Sequence, residues 1–517
     1  MAIEQQSKKR IAFILISAMV GVLLASLDSN VVGTAMPKII ASLKGFDLYT
    51  WPTTAYLLTM TISMPLFGKM ADVYGFKPVY LFGVSVFLLG SVLCGFSQSM
   101  MQFIISRGIQ GIGGAILISN TMAIIGLLFP PADRAKYGGF VSSASGLASL
   151  IGPSLGGVIT DHASWRWVFF MNIPLSLLVI AIILFAFPSS AVKREKKKVD
   201  FAGTALLIFG LVPLLLAFSM GGRNFAWNSV QIIGMFVFSA AMLVAFCLIE
   251  QKAEDPIIPL TLFKNGVFNF SAIEMFLINS ILMAAIIFIP LFLQGVKGSS
   301  ASGSGIIITP MLVSLIFGVV INGLIVSKTC KYKLMAVVGF LLMGISTLML
   351  TFWNTKTGDA AAVTAMVVMG FGIGIVMAIF NVTAQNVFSD EQMGVVTSTI
   401  QFFGRIGQTM SSSILGALLG SFLSQRLLGL DYGKLPVKLA GQFKDISTLS
   451  SPDALRTVRA QTPAALLSAL EKLIAQIRLA LSNSIHQIFI ICLAIVVIAL
   501  ITALLMKEIP LTKSKKA

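Results

Sequence analysis

The chain has 517 residues, 56% of them hydrophobic and 11% charged, less than half the roughly 25% charged share of a soluble domain. With a mean hydropathy of +0.93, that excludes a water-soluble fold. The net charge of +17 does not mark a nucleic-acid binder, because the basic residues lie in short loops between apolar runs and not along one face.

The amino terminus is short and basic, and it leads into an apolar run without a small-residue cleavage site, so no cleaved signal peptide is expected. A bilayer core of about 30 Å needs about 20 helical residues to cross it. Fourteen runs of that kind follow, near residues 11–34, 49–70, 77–98, 101–128, 137–160, 168–188, 201–220, 230–250, 268–294, 304–326, 334–353, 361–386, 396–422 and 484–506. With the amino terminus placed in the cytoplasm, twenty-one lysines and arginines fall on that side, against six in the short loops opposite. The positive-inside rule then puts both termini inside. The expected division is a six-helix bundle over 1–190, a linker with two inserted spans over 191–267, and a second bundle over 268–517. The basic run at 193–198 reads either as a linker near anionic lipid or as a plain topology determinant. The long loop 423–483, with helix-forming residues at 462–480 and prolines at 436, 452 and 463, is expected to be a partly helical external hairpin.

Ionisable side chains inside a membrane mark functional positions, and away from their ends the spans contain few: Asp28, Arg107, Glu274 and Arg405. Two acids against two bases suggest pairing. Asp28, in Leu27-Asp28-Ser29-Asn30-Val31-Val32, lies past the middle of the first span, where an aspartate costs about 2.5–3.5 kcal/mol. It either exchanges protons or contacts substrate, or it forms a static ion pair that fastens helices. Arg107 opens Arg107-Gly-Ile-Gln110-Gly111-Ile-Gly-Gly114, whose positions 107, 110, 111 and 114 share one helical face. It is the natural partner of Asp28, as a tuning cation or as a structural clamp. In Ser145-Gly146-Leu-Ala-Ser149-Leu-Ile-Gly152-Pro153-Ser-Leu-Gly156-Gly157, small residues make a flat packing face and Pro153 allows a bend. Glu274, about two turns into the ninth span, is a proton-coupling acid or a locally paired one. Gln401, Arg405 and Gln408 form a polar stripe in the thirteenth span, facing substrate or the other half. Asn381 and Gln385 make a smaller pair in the twelfth, and Asn30, Tyr56 and Gln110 complete the expected substrate contacts.

Cys94, Cys247, Cys330 and Cys492 have neither disulfide nor metal spacing and read as packing residues. His162 and His486 lie near span ends without an evident role. There is no nucleotide-binding P-loop, and the glycine-rich strings lie within apolar helices, where they cannot cradle phosphate. An enzyme is not expected.

Gly68-Lys-Met-Ala-Asp72-Val-Tyr-Gly75-Phe-Lys77-Pro78 follows the second span, and Gly323-Leu-Ile-Val-Ser327-Lys-Thr-Cys330-Lys-Tyr-Lys333 follows the tenth. The second string is a degraded copy, lacking the aspartate and the second glycine. Duplicated halves place a substrate site between them near the midplane, with spans seven and eight as an insertion. Together these residues resemble the major facilitator superfamily and, within it, the fourteen-span drug:proton antiporter family. Residues 68–78 are similar to its motif A, which implies that Gly68, Asp72, Gly75 and Lys77 help lock the inward side. Residues 107–114 are similar to motif B, whose arginine is implicated in proton transfer. Gly152, Pro153, Gly156 and Gly157 are similar to motif C, the antiporter motif of exporters, which argues against an uptake symporter. Residues 27–37 resemble the first-span motif that carries a membrane aspartate. The strings Ser164-Trp-Arg-Trp-Val-Phe-Phe-Met-Asn-Ile-Pro174 and Asp255-Pro-Ile-Ile-Pro259 are similar to further stretches of this subfamily. Asn30 and Gly33 stand where the first-span pattern usually has threonine and asparagine.

The resemblance implies an all-α polytopic membrane protein of the major facilitator fold, two six-helix bundles plus two additional helices between them. It also implies a proton-coupled exporter of amphiphilic drugs or toxic small molecules, working by alternating access. A dedicated exporter of one lipid, metabolite or signalling molecule and a non-transporting receptor are the alternatives. With Asp28 and Glu274 as the span acids and Arg405 as an added cation, monocationic, neutral or anionic amphiphiles are expected before dications. Protons, the substrate and membrane lipids are the expected partners of a functional monomer in the cell membrane. No metal, cofactor or nucleic acid is expected.

Overall fold

The computed structural model describes residues 8–43, 48, 51–187, 200–222, 225–299, 301–355, 357–377, 379–428, 458–460, 462–463, 466–506 and 508. Over its described residues, each of the fourteen apolar runs lies on helix to within a few residues at its ends. The first half contains α1 (Lys8–Leu43), α2 (Trp51–Tyr74), α3 (Phe76–Phe96), α4 (Met100–Leu128) and α5 (Pro131–His162). Its sixth crossing is broken into a short α6 (Trp167–Phe170) and α7 (Asn172–Ala186), with Pro174 in the first turn of α7, where a missing amide is harmless. Then come α8 (Phe201–Met220) and α9 (Val230–Glu250). The second half contains α10 (Gly266–Leu291), α11 (Ala301–Thr329), α12 (Lys333–Thr351), α13 (Asp359–Met377), α14 (Ile379–Gln385), α15 (Met393–Leu428) and α16 (Leu467–Leu505).

Twelve of the described helical segments are long and apolar enough to cross a membrane. The remaining two crossings, α2 with 24 residues and α5 with 32, are long enough but rich in serine, threonine and glycine. They can be so because protein surrounds them: α2 lies on α3, α4 and α15, and α5 on α1, α4 and α11. A polar or small face is tolerated in a bilayer where it meets another helix.

Helices α1 to α7 pack around shared apolar clusters, and α10 to α16 around another. The inserted pair α8 and α9 form a hairpin in which α8 touches α2 and α15. Helix α9 leaves Val230, Val237, Val244 and Leu248 exposed on its outer face, as a lipid-facing helix does. The inserted pair is therefore peripheral.

Among the described residues, two seams make the most extensive contact between the bundles, α2 on α15 and α5 on α11, and each uses a glycine for close backbone approach. A Cβ at Gly68 would stand 2.7 Å from the carbonyl oxygen of Gly394, and one at Gly323 would stand 2.7 Å from that of Ala135. Seven residues after each glycine the chain enters the left-handed region, at Gly75 (φ 96°) and Cys330 (φ 57°). The copy that lost its glycine has therefore kept the turn, at the steric cost of a side chain there.

The basic run 193–198 lies outside the described residues, as do residues 429–457 of the long loop with Pro436 and Pro452. In the described part of that loop, the helix expected over 462–480 begins at Leu467, and Val458 packs on Leu470, Leu473, Ile474 and Ile477.

Candidate functional site

The buried centre of the first bundle holds one carboxylate whose acceptors are all engaged. Asp28 is fully buried, and its Oδ2 accepts from Arg107 Nη1 at 2.5 Å. Its Oδ1 accepts from Gln110 Nε2 at 2.8 Å and from Asn172 Nδ2 at 3.1 Å. Arg107 is 1% exposed, donates also to Gln110 Oε1 at 2.7 Å, and lies over the ring of Tyr56 at 4.1 Å. The carboxylate therefore joins α1 to α4 and α7, and an aromatic ring of α2 covers the cation. Removing one partner of such a buried pair leaves an uncompensated charge, at about 3–5 kcal/mol.

The supporting residues explain why the backbone elements meet here. A Cβ at Gly90 of α3 would lie 2.5 Å from the amide nitrogen of Gln110 and 2.6 Å from its Cα, so glycine lets α3 press against α4 behind this glutamine. Asn172 also donates to Ser91 Oγ at 3.0 Å, and Ser91 donates to the carbonyl of Phe169 at 2.8 Å. Asn172 and Ser91 carry no ionic signal in sequence. Asn172 sits inside the string quoted for its family likeness, with nothing in that string tying it to Asp28.

The second expected pair does not form. Glu274 is fully buried on α10, but its Oε1 accepts from Thr502 Oγ1 of α16 at 2.7 Å and its Oε2 has no hydrogen-bond partner. Arg405 on α15 donates through Nη1 to Gln408 Oε1 at 2.9 Å. Spacing along two chains of helix could not tell which face of α10 meets α15 and which meets α16. Gln408 Nε2 in turn donates to Asn279 Oδ1 at 3.2 Å, and Gln401 Nε2 to Asn381 Oδ1 at 3.2 Å. The polar stripe thus bonds within its own bundle, to α10 and α14, and Asn279 is a member that hydropathy did not single out. Arg405 remains half-buried, facing the first bundle: Phe402, Phe403 and Ile406 beside it pack on that bundle's apolar cluster, and Tyr56 lies within its electrostatic reach.

The gating candidates lie at the seams and along α1. At the end of the molecule where α1 begins and α16 ends, here the terminus side, Asp72 accepts from the amides of Gly394 at 2.8 Å and Val395 at 2.7 Å. These are the unpaired donors at the start of α15, where a carboxylate is favoured by the helix dipole. Beside them Arg134 of α5 donates to the carbonyl of Gln385 at 3.3 Å and pairs with Asp390 at 3.6 Å. Gln385 is buried at this end, donating to the carbonyl of Met122 at 3.1 Å and to Thr397 at 2.9 Å, so it bridges the bundles. Lys77 stays within its own bundle, donating to the last carbonyls of α7 at Leu184 (3.0 Å) and Phe187 (2.9 Å).

Gly152 and Gly156 set α5 against α1. Their Cβ atoms would meet Asn30 and Val31, and Asn30 Nδ2 donates to Ser149 Oγ at 3.3 Å. Gly157 faces open space, and the side chain of Pro153 lies outside the described residues.

A family model described as Major Facilitator Superfamily matches residues 18–412, from α1 into α15. The chain is 38% identical to a protein of Bacillus subtilis (strain 168) named multidrug transporter protein MdtP, over 99% of this chain and 95% of that one. It is 35% identical to multidrug resistance protein 3 of the same organism, over 96% and 94%. Among solved structures, that of the human organic anion transporter MFSD10 (TETRAN) matches with a TM-score of 0.59, covering 95% of this chain and all of that one. At 15% identity that likeness shows the fold alone.

Proposed function

Because the chain belongs to the major facilitator superfamily and to its multidrug-efflux type, we propose that it is a proton-coupled antiporter that exports amphiphilic drugs or toxic small molecules by alternating access. It is a multi-pass membrane transporter of small molecules and not an enzyme. In this reading it works as a monomer among the lipids of the plasma membrane, with both termini in the cytoplasm, and it contributes to antibiotic resistance. The terminus-side seam is then the cytoplasmic gate, and the described state faces outward.

The observation that carries the proposal is the buried Asp28–Arg107 pair with its full set of donors. A proton reaching Asp28 from outside removes the charge that holds Arg107, and the ion pair becomes a weaker bond from a cation to a neutral acid. Helices α1 and α4 are then free to shift, and α5 follows α1 through the Gly152 and Gly156 contacts. Loss of the proton to the cytoplasm restores the pair. Both carboxylate oxygens are already taken by protein donors, so proton and substrate exclude each other through the state of the bundles and not by sharing this acid. Tyr56, Gln401, Arg405, Gln408 and Asn30 line the substrate side. Asn381 and Gln385 meet substrate only when the gate at their end opens. Gly68, Asp72, Gly75, Lys77, Gly152, Pro153, Gly156 and Gly157 serve the movement between states.

The test is transport of lipophilic fluorescent compounds by purified protein in proteoliposomes under an imposed pH gradient. Wild type is expected to move them, and Asp28→Asn to lose all gradient-driven movement. Uphill movement retained by Asp28→Asn and abolished by Glu274→Gln would transfer the proton site to α10.

A further inference from the structure

Arg405 is a permanent cation in a spanning helix, and among the described residues it has no carboxylate partner and a single side-chain hydrogen bond, to Gln408. A guanidinium carries five donors in a planar fork, so most of its donor capacity is unmet by protein. Arg405 is half-buried, on a helix that packs along α2 of the other bundle. The other three ionisable side chains deep within the spans are accounted for. Asp28 and Arg107 neutralise each other, and Glu274 is turned to Thr502 of α16. Among these four, Arg405 is the cation left without an opposite partner.

We propose that the transported compounds include amphiphiles bearing an oxyanion, held by Arg405 in the fork geometry that suits carboxylate, sulfonate or phosphate oxygens. The inference rests on the reading of the protein as a proton-coupled exporter and adds the charge of what it exports. It has an energetic consequence. In a one-for-one exchange, an anion leaving while a proton enters moves two elementary charges across the membrane. A neutral compound moves one, and a monocation moves none. Oxyanion export is thus driven by membrane voltage as well as by the pH gradient.

The test uses full-length protein in proteoliposomes and three probes on one dansyl-alkyl scaffold, ending in a sulfonate, a primary amide or a quaternary ammonium. The sulfonate is expected to be transported in preference to the ammonium, and a potassium–valinomycin voltage imposed without a pH gradient is expected to drive it. Arg405→Gln should lower the ratio of sulfonate to amide transport at least tenfold, and Arg405→Lys should recover part of that ratio by restoring charge without the fork. The ratio is read on whatever protein reconstitutes, and the wild-type preference stands independently of both variants. Preference for the ammonium, or an unchanged ratio in Arg405→Gln, would overturn the oxyanion assignment. In that case pH-driven movement of the amide or ammonium would leave the exporter reading in place. Movement of no probe under either gradient would overturn both.

Discussion

Around Asp28 the chemistry is set by donors, and each donor can be removed singly. Asn172 Nδ2 gives the carboxylate its third hydrogen bond at 3.1 Å, and a bond to a charged group is worth about 1.5–3 kcal/mol. Asn172→Ala is therefore expected to lower pH-driven transport by about one to two orders of magnitude while the protein still inserts. Wild-type rates in the alanine variant would show that Asn172 is a packing residue. Arg107→Lys should be at least as damaging, because an ammonium is a point charge and cannot bridge Asp28 and Gln110 while lying flat on Tyr56. At this scale the sequence displayed the charged residues and concealed the neutral ones. An aspartate or arginine in an apolar run stands out by its insertion cost. Asn172, Ser91 and Asn279 are cheap enough to pass as ordinary span residues, and only the packing of α3, α7 and α10 shows what they touch. The same limit applies to Glu274, whose partner Thr502 is 228 residues away.

Helices were legible where apolarity and length coincide, less so at their ends. Hydropathy reports the part of a helix inside lipid, so α16 starts at Leu467, well before the apolar run near 484, and α1 runs from Lys8 to Leu43, past both limits expected for it. The contacts between helices follow from glycines whose partners no pattern names. Gly90 is one case: an added methyl would press on the backbone of Gln110, and overpacking of this kind costs about 1–3 kcal/mol. Gly90→Ala is expected to lower the thermal unfolding midpoint in detergent and to weaken transport together, since it pushes away a donor of Asp28. A stable but inactive variant would separate the two effects and count against a purely steric account. At the end of α2, Asp72 caps the start of α15. Loss of that charge in Asp72→Asn removes about 0.3–2 kcal/mol of charge–dipole attraction. That should shift the gate towards opening by roughly two- to thirtyfold, read as faster maleimide labelling of Gly138→Cys in a background lacking the four native cysteines. Gly138 suits the purpose because it lines the small cleft beside Arg134 and Gln385 and its missing Cβ meets nothing. Unchanged labelling would mean that the aspartate does not hold this gate.

The whole molecule repeats one joint twice. In the first copy Gly68 brings α2 against the start of α15, and in the second Gly323 brings α11 against the start of α5, each followed by a left-handed turn seven residues on. The repeat was visible in the loop strings, but its purpose was not, because each copy closes on the other half of the chain. Interfaces of packed backbone switch between discrete arrangements more readily than they deform, so two related seams at one end make a rocking closure the natural motion. Rocking predicts reciprocal accessibility. Gly323→Val places a branched side chain where even a Cβ would stand 2.7 Å from the Ala135 carbonyl and 2.8 Å from Lys136 Cα, and it should pry the terminus-side seam apart. Gly138→Cys should then label faster. Gly33→Cys, exposed on α1 towards the opposite end with nothing near its added Cβ, should become protected in the same protein. If Gly138→Cys opens while Gly33→Cys stays fully reactive, the seam loosens locally and the two ends are not coupled. If both respond in opposite senses, one rigid-body movement links them, and a proton bound at Asp28 from one side is released to the other by the same swing that carries the substrate out.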